Sequence, residues 1–206
     1  PPPAPPPAPA PPPPRRGRVG LTYQLGWGLA IDGASPVAHG PAAALGVAVQ
    51  PPRWLLRAEL ALRTGLPATL RDPELPVLQV ALSRQLLAAR FTALRGVGRL
   101  RLGGAAELGA ALFLRRSSAS DPRVAPSPAA LTPALLTHLS LRLAVALHPR
   151  LLLEAAAGVD LFAGAPRLVY AVPATGDTSA LRERPSPWAA QPALTLTLVA
   201  VPPPLP

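Results

Sequence analysis

The first patterned stretch of the chain, positions 18–32, alternates bulky apolar residues with small or polar ones. Its sequence is RVGLTYQLGWGLAID, in which every odd position from 19 to 31 is apolar. Successive side chains of a β-strand point to opposite faces, so a period of two predicts a strand with one apolar face and one thin, polar face.

The same alternation recurs along the chain and predicts a fold that is all-β. We expect eight strands, near 18–32, 41–50, 53–65, 75–86, 98–115, 133–147, 151–170 and 190–201. The stretch 84–97 fits least well, because Leu82, Leu86 and Leu87 also match a helical turn, and it is expected to hold an irregular connection. Alanine and leucine favour helices, but an alternation repeated in eight segments outweighs that propensity.

The predicted connections alternate in length. Short or compact links follow the second, fourth and sixth strands, for example at 51–52 and 148–150. Longer segments rich in Pro, Ser, Asp and Gly follow the others, at 32–41, 66–74, 116–132 and 171–189. This predicts an antiparallel, up-and-down sheet with its long loops at one end.

Two closed arrangements fit these strands, and they differ in the solvent that each face meets. With the leucines inside, a soluble lipid-binding barrel would expose mostly Gly, Ala and Thr, which make a poor soluble surface. With the leucines outside, lipid covers the apolar face, and the small residues leave room inside for Arg and Glu. Charged residues make up only 15 % of the chain, which favours the second arrangement.

From strand count, alternation and loop asymmetry, residues 18–201 resemble the small outer-membrane β-barrels, the eight-stranded OmpA-like group. The resemblance implies an eight-stranded antiparallel transmembrane barrel at 18–202 in the outer membrane of a Gram-negative bacterium. It also implies short turns in the periplasm. The chain departs from the group in having only 4 % aromatic residues and in ending on PPPLP. The candidates for an interface girdle are Tyr23, Trp27, Trp54, Tyr170 and Trp188.

The N-terminal segment 1–17 contains the run PPPAPPPAPAPPPP, which predicts either a stiff polyproline II spacer or simply a disordered, Pro-rich tail. At ~3.1 Å per residue, 14 such residues reach roughly 40 Å. The chain has no methionine, even at position 1, so we expect it to be a processed product or a piece of a longer protein. The spacer would then tether a periplasmic domain or a cell-wall anchor upstream, and residues 203–206 form a short tail.

Charged residues fall on the small-residue faces of the predicted strands. They form a candidate polar network inside the barrel, because unpaired charges in a low-dielectric lumen are costly. Hairpin parity predicts that His138 faces Asp160 and that Glu154 lies diagonal to Arg142. The hairpin between the second and third predicted strands, around 51–52, would set Gly46 opposite Arg57 and Ala44 opposite Glu59. Such pairing either plugs the lumen or lines a gated, ion-selective passage. The candidate members are Arg57, Glu59, Arg63, Arg99, Arg101, Glu107, His138, Arg142, Glu154 and Asp160.

The sequence offers little for catalysis or cofactors. Without cysteine there is no thiolate catalysis or thiolate metal site, and neither metal-ligand spacing nor a dinucleotide fingerprint is present. His39, with Asp32 and Ser35 in the first long loop, is a candidate for a hydrolytic set, although no catalytic signature accompanies these residues. We therefore predict no catalytic, cofactor or metal site.

The net charge of +10 comes with arginines that are scattered, which argues against nucleic acid as a partner. The predicted partners are outer-membrane lipid and lipopolysaccharide, whose phosphates would meet arginines on or beside the long loops. These are Arg71, Arg115, Arg116, Arg123, Arg167, Arg182 and Arg184.

The predicted role is a non-enzymatic, monomeric barrel that anchors an upstream periplasmic part in the membrane. The alternatives are a narrow porin-like channel for small solutes or ions, then a soluble lipid-binding barrel, and last an enzyme at the outer rim.

Overall fold

The computed structural model describes residues 18–33, 37–71, 78–120, 128–166, 168–172, 180–184 and 187–202. Their strands are β1 (Arg18–Ala30), β2 (Ala38–Gln50), β3 (Trp54–Arg71), β4 (Leu78–Val97), β5 (Leu100–Ala119), β6 (Ala130–His148), β7 (Leu151–Ala163), β8 (Leu168–Val172), β9 (Ala180–Arg184) and β10 (Ala190–Ala200). Within these ranges, no helix is long and apolar enough to cross a membrane. The spacer at 1–17 and the tail at 203–206 lie outside the described residues.

Eight of these strands close a barrel in the order β1-β10-β7-β6-β5-β4-β3-β2. Every neighbouring pair is antiparallel, and β1 closes the ring by pairing with β10 over Tyr23–Ala30. Strands β8 and β9 form a separate two-stranded sheet between β7 and β10 in the chain. The predicted eight-stranded, antiparallel, up-and-down barrel is thus confirmed, with the predicted seventh strand ending at Ala163 rather than near 170.

The alternation sorts side chains between exterior and lumen as the sequence predicts for a lipid-facing barrel. On β1, Leu21 is 73 % exposed, while its neighbour Thr22 is fully buried. On β6, Leu141 is 75 % exposed and Arg142 only 3 %. The reversed arrangement, a soluble barrel with a leucine-filled centre, is therefore wrong for this fold.

Strand β4 departs from the prediction because it runs unbroken through the stretch expected to be irregular. Its lumen face carries Val80, Leu82 and Leu86, all at most 7 % exposed, although the predicted barrel turns the apolar face of each strand toward lipid. The alternation alone cannot distinguish an apolar side chain packed in the lumen from one facing lipid. A two-residue turn with Gly98 at a φ of 63° then leads into β5.

Two predicted hairpin registers have different outcomes. In β6–β7, His138 pairs with Asp160 as predicted, although a bulge beside the turn sets His148 opposite Leu151. In β2–β3 the register lies two residues away from the prediction, with Gly46 opposite Glu59. The Pro51–Pro52 turn includes a third residue, Arg53, at a φ of 65°, and this lengthens the loop.

The lumen is filled in three layers. At the short-turn end, an apolar cluster of seven residues closes it: Ala48, Leu55, Leu94, Ala144, Leu152, Val199 and Val201. Toward the long-loop end lies a second apolar cluster: Leu82, Leu86, Ala88, Ala111, Phe113, Ala134, Leu136 and Phe162. The polar layer lies between them. Because Arg18 pairs with Gln50, the chain enters the barrel at the short-turn end.

Candidate functional site

The polar layer is built around Glu154, which projects into the lumen from β7. Arg57 on β3 donates through Nη2 to Glu154 Oε2 at 2.6 Å, and both side chains are 0 % exposed. Arg142 on β6 donates through Nη1 to the other oxygen, Oε1. Since β3 and β7 lie on opposite sides of the ring, the pair Arg57–Glu154 spans the lumen.

A second centre forms around Asp160, further along β7 toward the long-loop end. Arg63 donates to both of its oxygens, at 2.8 and 3.2 Å. The Nδ1 of His138 lies 2.8 Å from Oδ1 of the same carboxylate. A bidentate arginine combined with a histidine fixes the carboxylate in one orientation.

Glu107 on β5 joins the two centres. Arg90 donates through Nε to its Oε1 at 2.7 Å, and Arg142 approaches the same oxygen at 3.4 Å. Arg63 reaches Oε2 at 3.4 Å. One connected set of charges therefore runs from Glu154 to Asp160 across the middle of the barrel.

Four of the polar residues in the lumen were missed by the sequence analysis: Gln24, Arg84, Arg90 and Gln191. Gln24 donates to Glu59 at 2.6 Å and accepts from Arg90 at 3.2 Å. Arg84 donates to the side-chain oxygen of Gln191. Arg84 and Arg90 share the lumen face of β4 with Ala88. A prediction that continued the strand through the stretch 84–97 would therefore have placed both arginines inside the barrel.

The predicted interior residues do not all enter this network. Arg57, Glu59, Arg63, Glu107, His138, Arg142, Glu154 and Asp160 are all buried in the lumen. Arg101 is half-buried near the short-turn end, where it donates to Gln50 at 3.5 Å. Arg99 was predicted to lie inside, but it is exposed in the β4–β5 turn, because β5 begins at Leu100 rather than near 98.

The exposed tryptophans lie at both ends of the barrel exterior. Trp54 is the first residue of β3, at the short-turn end. Trp27 stacks on the His39 ring at a centroid distance of 5.9 Å near the long-loop end, and the Trp188 amide donates to the Asp32 carbonyl there at 2.7 Å. Tyr23 is exposed in the half of β1 that is nearer the short-turn end. The side chain of Tyr170 is not among those that the structure describes.

The candidate hydrolytic set is not assembled among the described residues. His39 stacks against Trp27 on β1, whereas Asp32 is buried, and Ser35 lies outside the described residues. Across the described ranges, no group of three or more His, Asp or Glu side chains is arranged to hold a metal ion. The chemistry that the lumen does offer is charge pairing between opposite walls.

With this geometry in place, the chain can be compared with known proteins. No family model matches it, and no curated protein does. Among solved structures, a major outer membrane protein from Thermus thermophilus is similar with a TM-score of 0.56 and 12 % identity, covering 87 % of this chain and 98 % of that one.

Two further structures are similar in outline. The attachment invasion locus protein Ail of Yersinia pestis has a TM-score of 0.48 at 9 % identity, covering 90 % of this chain and 99 % of that one. Neisserial surface protein A has a TM-score of 0.47 at 9 % identity, covering 89 % and 98 %.

The fold and the exterior together define the class of this chain. A closed barrel leaves no strand edge unpaired in lipid, and an apolar outer face needs lipid rather than water around it. By its fold and by the surface that it presents, the chain is an eight-stranded, lipid-facing β-barrel, and its fold is similar to that of a major outer membrane protein.

Proposed function

We propose that this chain is a non-enzymatic, monomeric anchor that holds an upstream periplasmic part in the outer membrane of a Gram-negative bacterium. The observation that carries the proposal is the filled lumen. The pair Arg57–Glu154 crosses it, and both side chains are 0 % exposed. One apolar cluster lies on the short-turn side of this polar layer and the other on its long-loop side. A lumen packed in this way holds a barrel in shape but gives solutes no path.

Chain geometry supports a direction for the anchor. β1 starts at the short-turn end, the end that faces the periplasm in bacterial outer-membrane barrels. The proline-rich residues 1–17 would therefore extend into the periplasm and connect to whatever lies upstream. At the opposite end, arginines beside the long loops, such as the exposed Arg116, would meet lipopolysaccharide phosphates.

Conductance separates the anchor from the narrow porin-like channel. The full chain is inserted into planar bilayers, and insertion is verified by protection of its strands from added protease. A closed anchor gives no resolved current steps, whereas reproducible steps from the inserted protein would establish the channel and remove the anchor proposal.

Labelling in cells tests the direction of the anchor. The native chain has no cysteine, so a single introduced thiol is unique. Ser118 is exposed near the long-loop end of β5, and Ala8 lies within the spacer. With a membrane-impermeant maleimide, Ser118→Cys should react in intact cells, and Ala8→Cys only after the outer membrane is permeabilised. The reverse pattern would contradict the proposal.

A further inference from the structure

The long-loop end of the barrel contains a partly enclosed cavity of about 350 Å³. It lies on the long-loop side of the apolar cluster that includes Phe113, between β4, β5, β6 and the segment that follows β7. Its volume is within the range of small-molecule binding sites. The lining residues are Leu82, Phe113, Arg115, Ala130, Thr132, Ala165 and Pro166.

The strand register explains why these side chains converge. Arg115 lies directly opposite Leu82 on β4 and Ala130 on β6. One layer deeper, Phe113 lies opposite Thr132 and is only 1 % exposed. The Phe113 ring packs edge-on against Phe162 at 5.4 Å, so the cavity has an aromatic floor with aliphatic walls.

Arg115 is the charged group in this lining, and no carboxylate in the described part of the chain forms an ion pair with it. Its Nε is buried without a hydrogen-bond partner among the described residues. The arginines at the centre of the polar layer differ, because Arg57, Arg63, Arg90 and Arg142 each meet a carboxylate. A buried guanidinium donor without an acceptor is costly, and an anionic ligand would supply the acceptor.

We propose that this cavity binds a small amphipathic carboxylate, with its apolar body on Phe113 and Leu82 and its carboxylate on Arg115. The Thr132 hydroxyl, which also lines the cavity, can donate a second hydrogen bond to the same carboxylate. A cationic ligand would meet Arg115 unfavourably, and a neutral hydrocarbon would leave its Nε unpaired. This site is independent of the anchor role, since it uses none of the cross-lumen pairs.

The test measures binding of 4-phenylbutyrate to the full chain in lipid nanodiscs by calorimetry. The matched neutral probe is 4-phenylbutanol, which has the same apolar body. Empty nanodiscs correct for partition into lipid. We expect saturable binding of one 4-phenylbutyrate per barrel and at least tenfold weaker binding of the alcohol.

Three variants assign that binding to the cavity. Arg115→Gln removes the charge at similar length and should weaken 4-phenylbutyrate binding at least tenfold. Ala130→Phe fills the cavity and should abolish binding, which provides a second test if Arg115→Gln does not fold. Arg116→Gln removes the same charge from the adjacent, outward-facing residue and should leave affinity unchanged.

Several results would overturn the proposal. These are the absence of saturable binding, equal losses in Arg115→Gln and Arg116→Gln, or binding that survives Ala130→Phe. Equal affinity for the alcohol and the carboxylate would also overturn it, because the cavity would then be a site for neutral apolar molecules.

Discussion

Replacing Glu154 by glutamine should be among the most destabilising single changes in the barrel. The carboxylate accepts from Arg57 at 2.6 Å through one oxygen and from Arg142 through the other, and the side chain is fully buried. The amide of glutamine keeps one acceptor but turns an N–H₂ group toward the second guanidinium. Breaking a buried ion pair by removing one partner costs about 3–5 kcal/mol, so we expect a loss of that size in the free energy of unfolding.

The assay is urea unfolding of the full chain in lipid vesicles, followed by tryptophan fluorescence, with linear extrapolation to zero denaturant. The control is Thr64→Val, which removes an exposed hydrogen bond to Gln85 of 2.7 Å on the barrel exterior. The free energy of unfolding of Thr64→Val should lie within about 1 kcal/mol of the parent value, because substitutions at exposed sites usually have small effects. If Glu154→Gln also changed the stability by less than about 1 kcal/mol, the lumen would be hydrated rather than sealed around paired charges, and the reasoning would fail.

Two further substitutions test the exterior and the packing of the wall. Leu141→Arg places a charge on the lipid face and should lower the free energy of unfolding in vesicles by about 2–4 kcal/mol. Ser118→Arg, near the long-loop end, should lower it little. Equal losses in the two variants would contradict a lipid-facing exterior. Gly46→Ala would place a Cβ 2.6 Å from Glu59 Cα and should lower stability by about 1–3 kcal/mol, while Gly28→Ala, whose Cβ would lie 3.4 Å from Thr195 Cγ2, serves as the tolerated control.

The alternation predicts most of the architecture, because a period of two indicates both that a segment is a strand and which face each of its residues occupies. It failed on β4, where Leu82 and Leu86 pack inside against the cluster around Phe113. Periodicity reports that a side chain avoids water, but lipid and an apolar lumen satisfy that requirement equally well. Arg84 and Arg90 were missed for a different reason, because the stretch 84–97 that contains them was expected to be an irregular connection rather than a strand.

The candidate site was predictable only between neighbouring strands. Register along one hairpin places His138 opposite Asp160 and Glu154 diagonal to Arg142, and both relations hold. The contacts Arg57–Glu154 and Arg63–Asp160 join β3 to β7 across the ring. Such contacts depend on the closure and shear of the barrel, which no local sequence pattern specifies.

The central claim is that, in the middle of the barrel, leucines such as Leu141 face lipid while the ion-paired residues face a sealed lumen. Because the chain has no cysteine, single cysteines can be introduced at each position from 139 to 144 on β6 and spin-labelled. Collision with lipid-soluble oxygen should then be high at 139, 141 and 143 and low at 140, 142 and 144, with water-soluble nickel reaching none of them. High oxygen access at the even positions, or the same access at all six, would contradict the account.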